Sequence, residues 1–212
     1  MKKVTLILIS LFIMVQYCTL VYGQNNDYQA FKNGNKKKYY TKDNPKAKGL
    51  NISIEYPSSW KSYEAGSPDP DNIQLFTGKQ LEGISPMVSI LITEIPDKIS
   101  PDAIAKMVFT KTGMKMLPPD SIFIDGEETK YDGQPGAWRK YYTIKENNET
   151  ATEMYVLQHM FIYGKDMIYI QCAVGRLKKI DKKLLKEFNS YLPLFQQIGN
   201  SVIIYDKEQN KR

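Results

Sequence analysis

Histidine occurs once in this chain, and cysteine and tryptophan twice each. A nucleophile–base pair therefore has one place to assemble, at His159. That residue lies mid-strand between Gln158 and Met160, the setting of a packed or edge residue rather than of a catalyst. Cys18 falls in the leading segment, which leaves Cys172 as a lone thiol with no internal disulfide to form. It shares an apolar stretch with Ile170 and Val174 and reads as core filling. One histidine and one cysteine cannot make a structural zinc site. No phosphate-binding glycine loop is present. Glu127 and Glu128 are adjacent on an expected strand, so they point to opposite faces and form no carboxylate dyad. No catalytic set, cofactor or metal is expected. Met107, Met114 and Met116 read as core packing.

What is present begins with an export signal. Lys2 and Lys3 precede a run, 4–15, that is almost wholly apolar, and Val21, Tyr22 and Gly23 precede a candidate cut before Gln24. Residues 1–23 therefore read as a secretory signal peptide. The run is short for a membrane span, and Gln16 interrupts it. The expected location is periplasmic or secreted, with no integral membrane segment after cleavage. An exported chain of this size needs no disulfide framework if its core is large enough.

The formal charge of +6 belongs to the ends. Residues 24–48 hold seven lysines against Asp27 and Asp43, whereas 49–205 hold 17 basic and 19 acidic residues. A domain of that balance is not expected to bind nucleic acid. Residues 24–48 are poor in apolar side chains and read as a flexible basic linker. Residues 206–212 read as a polar tail.

From Gly49 the pattern changes. Leu50, Ile52, Ile54 and Tyr56 alternate with polar residues, the signature of a strand with one buried face. Pro57 ends it, and Trp60 is placed to fold back over the core. A short strand follows at 73–76. Residues 87–95 are apolar on both faces, which predicts a central, doubly covered strand. Ser100, Pro101 and Asp102 open a helix, which Gly113 is expected to stop. Strands are expected at 121–131, 137–145, 151–163 and 167–174. Their connections are too short for crossovers, so they form an antiparallel meander. An amphipathic helix starts near Leu177, with Leu184 and Phe188 on one arc and Lys178, Lys179, Lys182, Lys183 and Lys186 on the other. Residues 202–204 make a short closing strand.

The run 49–60, the turn Asp132-Gly133-Gln134-Pro135-Gly136 and the closing stretch 188–202 resemble the PsbP-like superfamily, over nearly all of 49–205. That resemblance implies an α+β fold, a central antiparallel sheet with helices on both faces, an α/β/α sandwich. Members of the superfamily include a photosystem extrinsic subunit, a nuclear import factor, envelope proteins of the DcrB type and secretion chaperones. They share no catalytic site, so no catalytic residue carries over. The resemblance implies an exported non-enzymatic binding or assembly module that docks to a protein partner at the bacterial cell envelope. The five lysines of the last helix are the candidate binding residues, for an acidic partner or an anionic surface. Two other readings stand beside it. One is a carrier of a small apolar ligand or lipid between sheet and helix. The other is a hydrolase built from dispersed Asp, Glu and Tyr residues, which needs a deep pocket near His159.

Overall fold

Short turns between long apolar strands force neighbours to pair, and the second half of the chain does so. The computed structural model describes residues 26–64, 71–81, 83–146, 151–177 and 183–205. Strands β6 (Ser121–Tyr131), β7 (Gln134–Glu146), β8 (Ala151–Tyr163) and β9 (Asp166–Leu177) form the expected antiparallel meander. The β6–β7 turn places both Asp132 and Gly133 at positive φ, the geometry such a tight hairpin demands. Three further strands extend the sheet beyond β9: β5 (Ser85–Glu94), β4 (Asn72–Thr77) and β3 (Lys61–Glu64). The sheet has seven strands in the order β3-β4-β5-β9-β8-β7-β6.

Helices cover both faces. On one side lies the helix α3 (Lys183–Asn200), which buries Leu184, Phe188, Tyr191, Leu194, Phe195 and Ile198. They meet Leu157, Phe161, Ile168, Ile170 and Val174 of the sheet in the main core. On the other side lies α2 (Pro101–Val108), where Ile104, Ala105 and Val108 pack on a core of Ala137, Met160, Ile162 and Met167. Ser100 caps α2 as expected, accepting from the Ala103 N–H, with Pro101 at the first helical position. The fold is therefore α+β, with an antiparallel sheet between two helical layers.

Several expectations need correction. Residues 24–48 are not a bare linker. From Asn26 on they form α1 (Asn26–Lys32), β1 (Lys36–Tyr40) and a 3-10 turn, Pro45–Ala47. Phe31 is 4% exposed, and Ala47 and Thr41 are fully buried. Few apolar residues suffice when each lands on the core. The strand at 50–56, β2 (Ile52–Pro57), does not join the large sheet. It is the centre of a second sheet, β1-β2-β10, with β10 (Ile203–Ile204). Ile52, Ser53 and Ile54 are all buried, so it is covered on both faces rather than one. In β5, by contrast, Val88, Ile90 and Ile92 are buried while Met87 and Leu91 are half-buried, so one face alone is closed. α2 stops at Val108, before Gly113, which opens a second 3-10 turn, Gly113–Lys115. The last helix begins at Lys183, and Leu177 ends β9. α3 runs on through Pro193. Of the three methionines, Met114 is buried and Met107 and Met116 are exposed.

Candidate functional site

Strand β8 carries His159 on the α3 face, at 3% exposure. Nε2 lies 3.2 Å from the carbonyl of Phe195, which can only accept, so Nε2 carries the proton. Nδ1 then accepts from the hydroxyl of Tyr131 at 2.8 Å. Both nitrogens of a neutral imidazole are thereby occupied. Burial pushes the His159 pKa down to about 4, against a smaller opposing effect of the Phe195 carbonyl. Cys172, on the adjacent strand, is fully buried, and its Sγ lies 3.9 Å from the same carbonyl. Desolvation raises its pKa, which keeps it a thiol and a poor nucleophile. Both residues therefore pack as the sequence suggested.

Gly199 makes this arrangement possible. A Cβ built there would lie 2.4 Å from Cε1 and Nε2 of His159. Alanine gains roughly 1 kcal/mol over glycine in a helix interior, but overpacking a fixed ring costs about 1–3 kcal/mol or more. The ring is held at both nitrogens and cannot step aside. Gly199→Ala is therefore expected to lower stability by about 2 kcal/mol in urea denaturation. A gain in midpoint would show that the ring has room to move.

The depressed His159 pKa also fixes a pH dependence. The unfolded chain binds this proton near pH 6.5 and the folded one near 4, so the stabilisation is complete above the unfolded value. It is lost as pH falls through that window, by about 3 kcal/mol at pH 4. Denaturation midpoints at pH 7 and pH 4.5 should fall further for the native protein than for His159→Gln, since carboxylate titration is common to both. Equal falls would mean that the histidine is accessible.

The hydrolase reading needs carboxylates converging near His159. The ring meets the Tyr131 hydroxyl, the Phe195 carbonyl and the backbone at Gly199 instead. Glu127 and Glu128 lie in register with Trp138 and Ala137, on opposite faces as expected. The layer between sheet and α3, where a carried lipid would sit, is filled by Phe188, Leu194, Phe195 and Ile198, each 2% exposed or less. Among the described residues no group of three His, Cys, Asp or Glu side chains could hold a metal. No described helix is long and apolar enough to cross a membrane.

The opposite face holds a buried cation that periodicity did not reveal. Arg139 donates through Nε to Oε1 of Gln158 at 2.7 Å and through Nη1 to the carbonyls of Met114 and Met116, at 3.3 and 2.8 Å. It ties the segment after α2 to the sheet. That segment and α2 lie over the face of the sheet next to its last strand and leave a groove of about 580 Å³. Lys106, Phe109 and Thr110 form one wall, Glu128, Thr129 and Lys130 of β6 the other, with Gly136 beneath. β6 is the last strand in the sheet order. Along it Ile122 is 64% exposed and Ile124 46%. Exposed apolar side chains on a long edge strand are normally suppressed.

Of the five lysines singled out in the sequence, Lys178, Lys179 and Lys182 lie outside the described residues. Lys183 and Lys186 are exposed on α3.

No family model matches the sequence, and no curated protein matches it. Among solved structures the chain is similar to the cyanobacterial PsbP protein, CyanoP, of Synechocystis sp. PCC 6803. Identity is 16% over 81% of this chain and 93% of that one, with a TM-score of 0.49. It is also similar to LpqN of Mycobacterium tuberculosis, described as involved in cell envelope biogenesis. There identity is 13% over 82% of this chain and 93% of that one, with a TM-score of 0.45. Neither similarity singles out a DcrB-type protein.

Proposed function

We propose that this protein is an exported, non-enzymatic binding or assembly module that docks onto a protein partner at the bacterial cell envelope. The observation that carries this reading is the edge strand β6, with exposed Ile122 and Ile124, beside the open groove under α2. The histidine and the buried thiol are committed to packing, whereas the accessible features are those of a docking surface. The N-terminal signal supports export. The lysines at 178, 179, 182, 183 and 186 supply a second, electrostatic contact that steers an acidic partner surface.

Crosslinking in the native organism, with a photoreactive residue at position 122, tests the reading. A specific protein partner should be captured from the envelope fraction. Recovery of no specific partner under any condition would overturn it. For the lysine face, replacing Lys179, Lys182, Lys183 and Lys186 by Gln should leave the melting temperature unchanged or slightly higher. It should also weaken retention of the captured partner at low salt. Equal retention would reduce that face to a solvated one.

A further inference from the structure

We infer that the partner is bound as an added strand: an extended segment that pairs with the outer edge of β6 and turns alternate side chains toward the groove between β6 and α2. This inference rests on the docking function proposed above and names the form and chemistry of the partner.

Three observations carry it. First, β6 runs for 11 residues at the end of the sheet, and 121–131 contain no proline, so every residue keeps its N–H. An edge of that length with which no described strand pairs is a template for another strand. Second, the edge has a second wall. Lys106, Phe109 and Thr110 stand across from Glu128, Thr129 and Lys130, and about 580 Å³ lies open between them. A strand edge flanked by a helix offers both main-chain pairing and a place for side chains. Third, the charges along the edge are ordered. Within 125–128, Asp125, Glu127 and Glu128 are exposed, and Lys130 follows, with Lys106 across the groove. Asp125 is engaged with Lys140 at 3.1 Å, so Glu127 and Glu128 dominate the acidic end.

That order selects a partner once the added strand is taken as antiparallel, as its neighbours in the sheet are. An antiparallel segment sets its N-terminal residues beside Lys130 and Lys106 and its C-terminal residues beside Glu127 and Glu128. The complement is an acidic residue followed by basic ones, with apolar side chains at alternate positions for the part of the groove lined by Phe109. The register irregularity between Phe123 and Asp125 interrupts regular geometry toward the start of the strand. Pairing is therefore centred on 125–131.

The test uses the full chain and an end-capped eight-residue peptide. The peptide carries glutamate near its N-terminus, two lysines toward its C-terminus and valine at alternate positions. Amide shifts on titration should concentrate on 124–131 and on the α2 segment from Lys106 to Thr110. A peptide with glutamate and lysine exchanged should bind about tenfold more weakly, as a few cross-strand charge pairs would give. The variant Glu127→Lys/Glu128→Lys should reverse that preference, a readout that loss of fold cannot produce. Shifts elsewhere, no binding, or a preference that survives the reversal would overturn the inference. So would a concentration-dependent dimer through β6, which would make a second copy the occupant. Capture of a partner at position 122 is measured separately, so failure of the strand geometry is distinct from failure of the docking function.

Discussion

Deletion of residues 24–48 is expected to unfold the domain or to leave it barely stable. β1 pairs with β2 along five residues, from Lys36 opposite Pro57 to Tyr40 opposite Ser53. Removing it turns β2, buried on both faces, into an exposed edge. The Ile52 N–H loses the Thr41 hydroxyl that accepts it at 3.0 Å. Phe31 leaves a hole in the main core, and truncation of a buried phenylalanine alone costs about 3–5 kcal/mol. Lys36 no longer meets Glu55, now 2.6 Å away, but an exposed pair of that kind adds little. The packing and pairing losses together approach the 5–15 kcal/mol that holds a whole domain folded. Circular dichroism of the truncated chain should show loss of the cooperative thermal transition. An unchanged melting temperature would mean that this segment does not dock as described.

Trp60→Ala is expected to cost about 3–5 kcal/mol. The side chain is 3% exposed. Its indole N–H donates to Oδ2 of Asp27 at 2.9 Å, and Ser59 donates to the other oxygen of the same carboxylate at 3.1 Å. A Cβ at Gly78 would come within 2.9 Å of the indole ring, so that wall is tight as well. Alanine would remove the ring, open a cavity in the main core beside Gly78, and strip a charge-assisted bond from α1. Asp27→Ala removes that bond alone, so its cost should be the smaller, about 1–3 kcal/mol. Chemical denaturation of the two variants separates the contributions. A midpoint unmoved by Trp60→Ala would place the indole at the surface.

The parts of the fold legible in the sequence are those in which local chemistry and long-range packing agree. The meander from 121 to 177 announces itself because long strand-forming runs are separated by short connections that carry Asp, Gly or Asn. The cap of α2 is legible in three residues, Ser100 to Asp102. The covering role of Trp60 follows from the strand, proline and turn that precede it. The segment 26–48 misleads because its lysines outnumber its core residues, yet Phe31, Thr41 and Ala47 each occupy a place that no composition average registers. β3 has four exposed residues and no apolar period, and pairing with β4 alone makes it a strand. The second sheet depends on contact between positions about 150 apart, Ser53 with Ile203, which local patterns do not encode.

The candidate site divides in the same way. The packing fate of His159 and Cys172 was legible from their apolar strands. The partners of His159 were not, because Tyr131 and Phe195 reach it from a different strand and a helix. The groove was invisible for a related reason. It exists because Arg139 holds the carbonyls of Met114 and Met116, which sets the segment after α2 beside an edge strand. An arginine in an alternating strand looks solvent-facing, and only the register shows that it is buried.

His159 and Cys172 are packing groups, and the proposed docking function rests on the edge of β6. A nitrogen-detected NMR titration of His159 tests the first half most directly. The expected result is a single Nε2–H tautomer, slow to exchange with solvent and unprotonated from pH 8 down to about 5, with its pKa near 4. Titration near the ordinary value of about 6.5, with rapid solvent exchange, would contradict the account and reopen His159 as an active group.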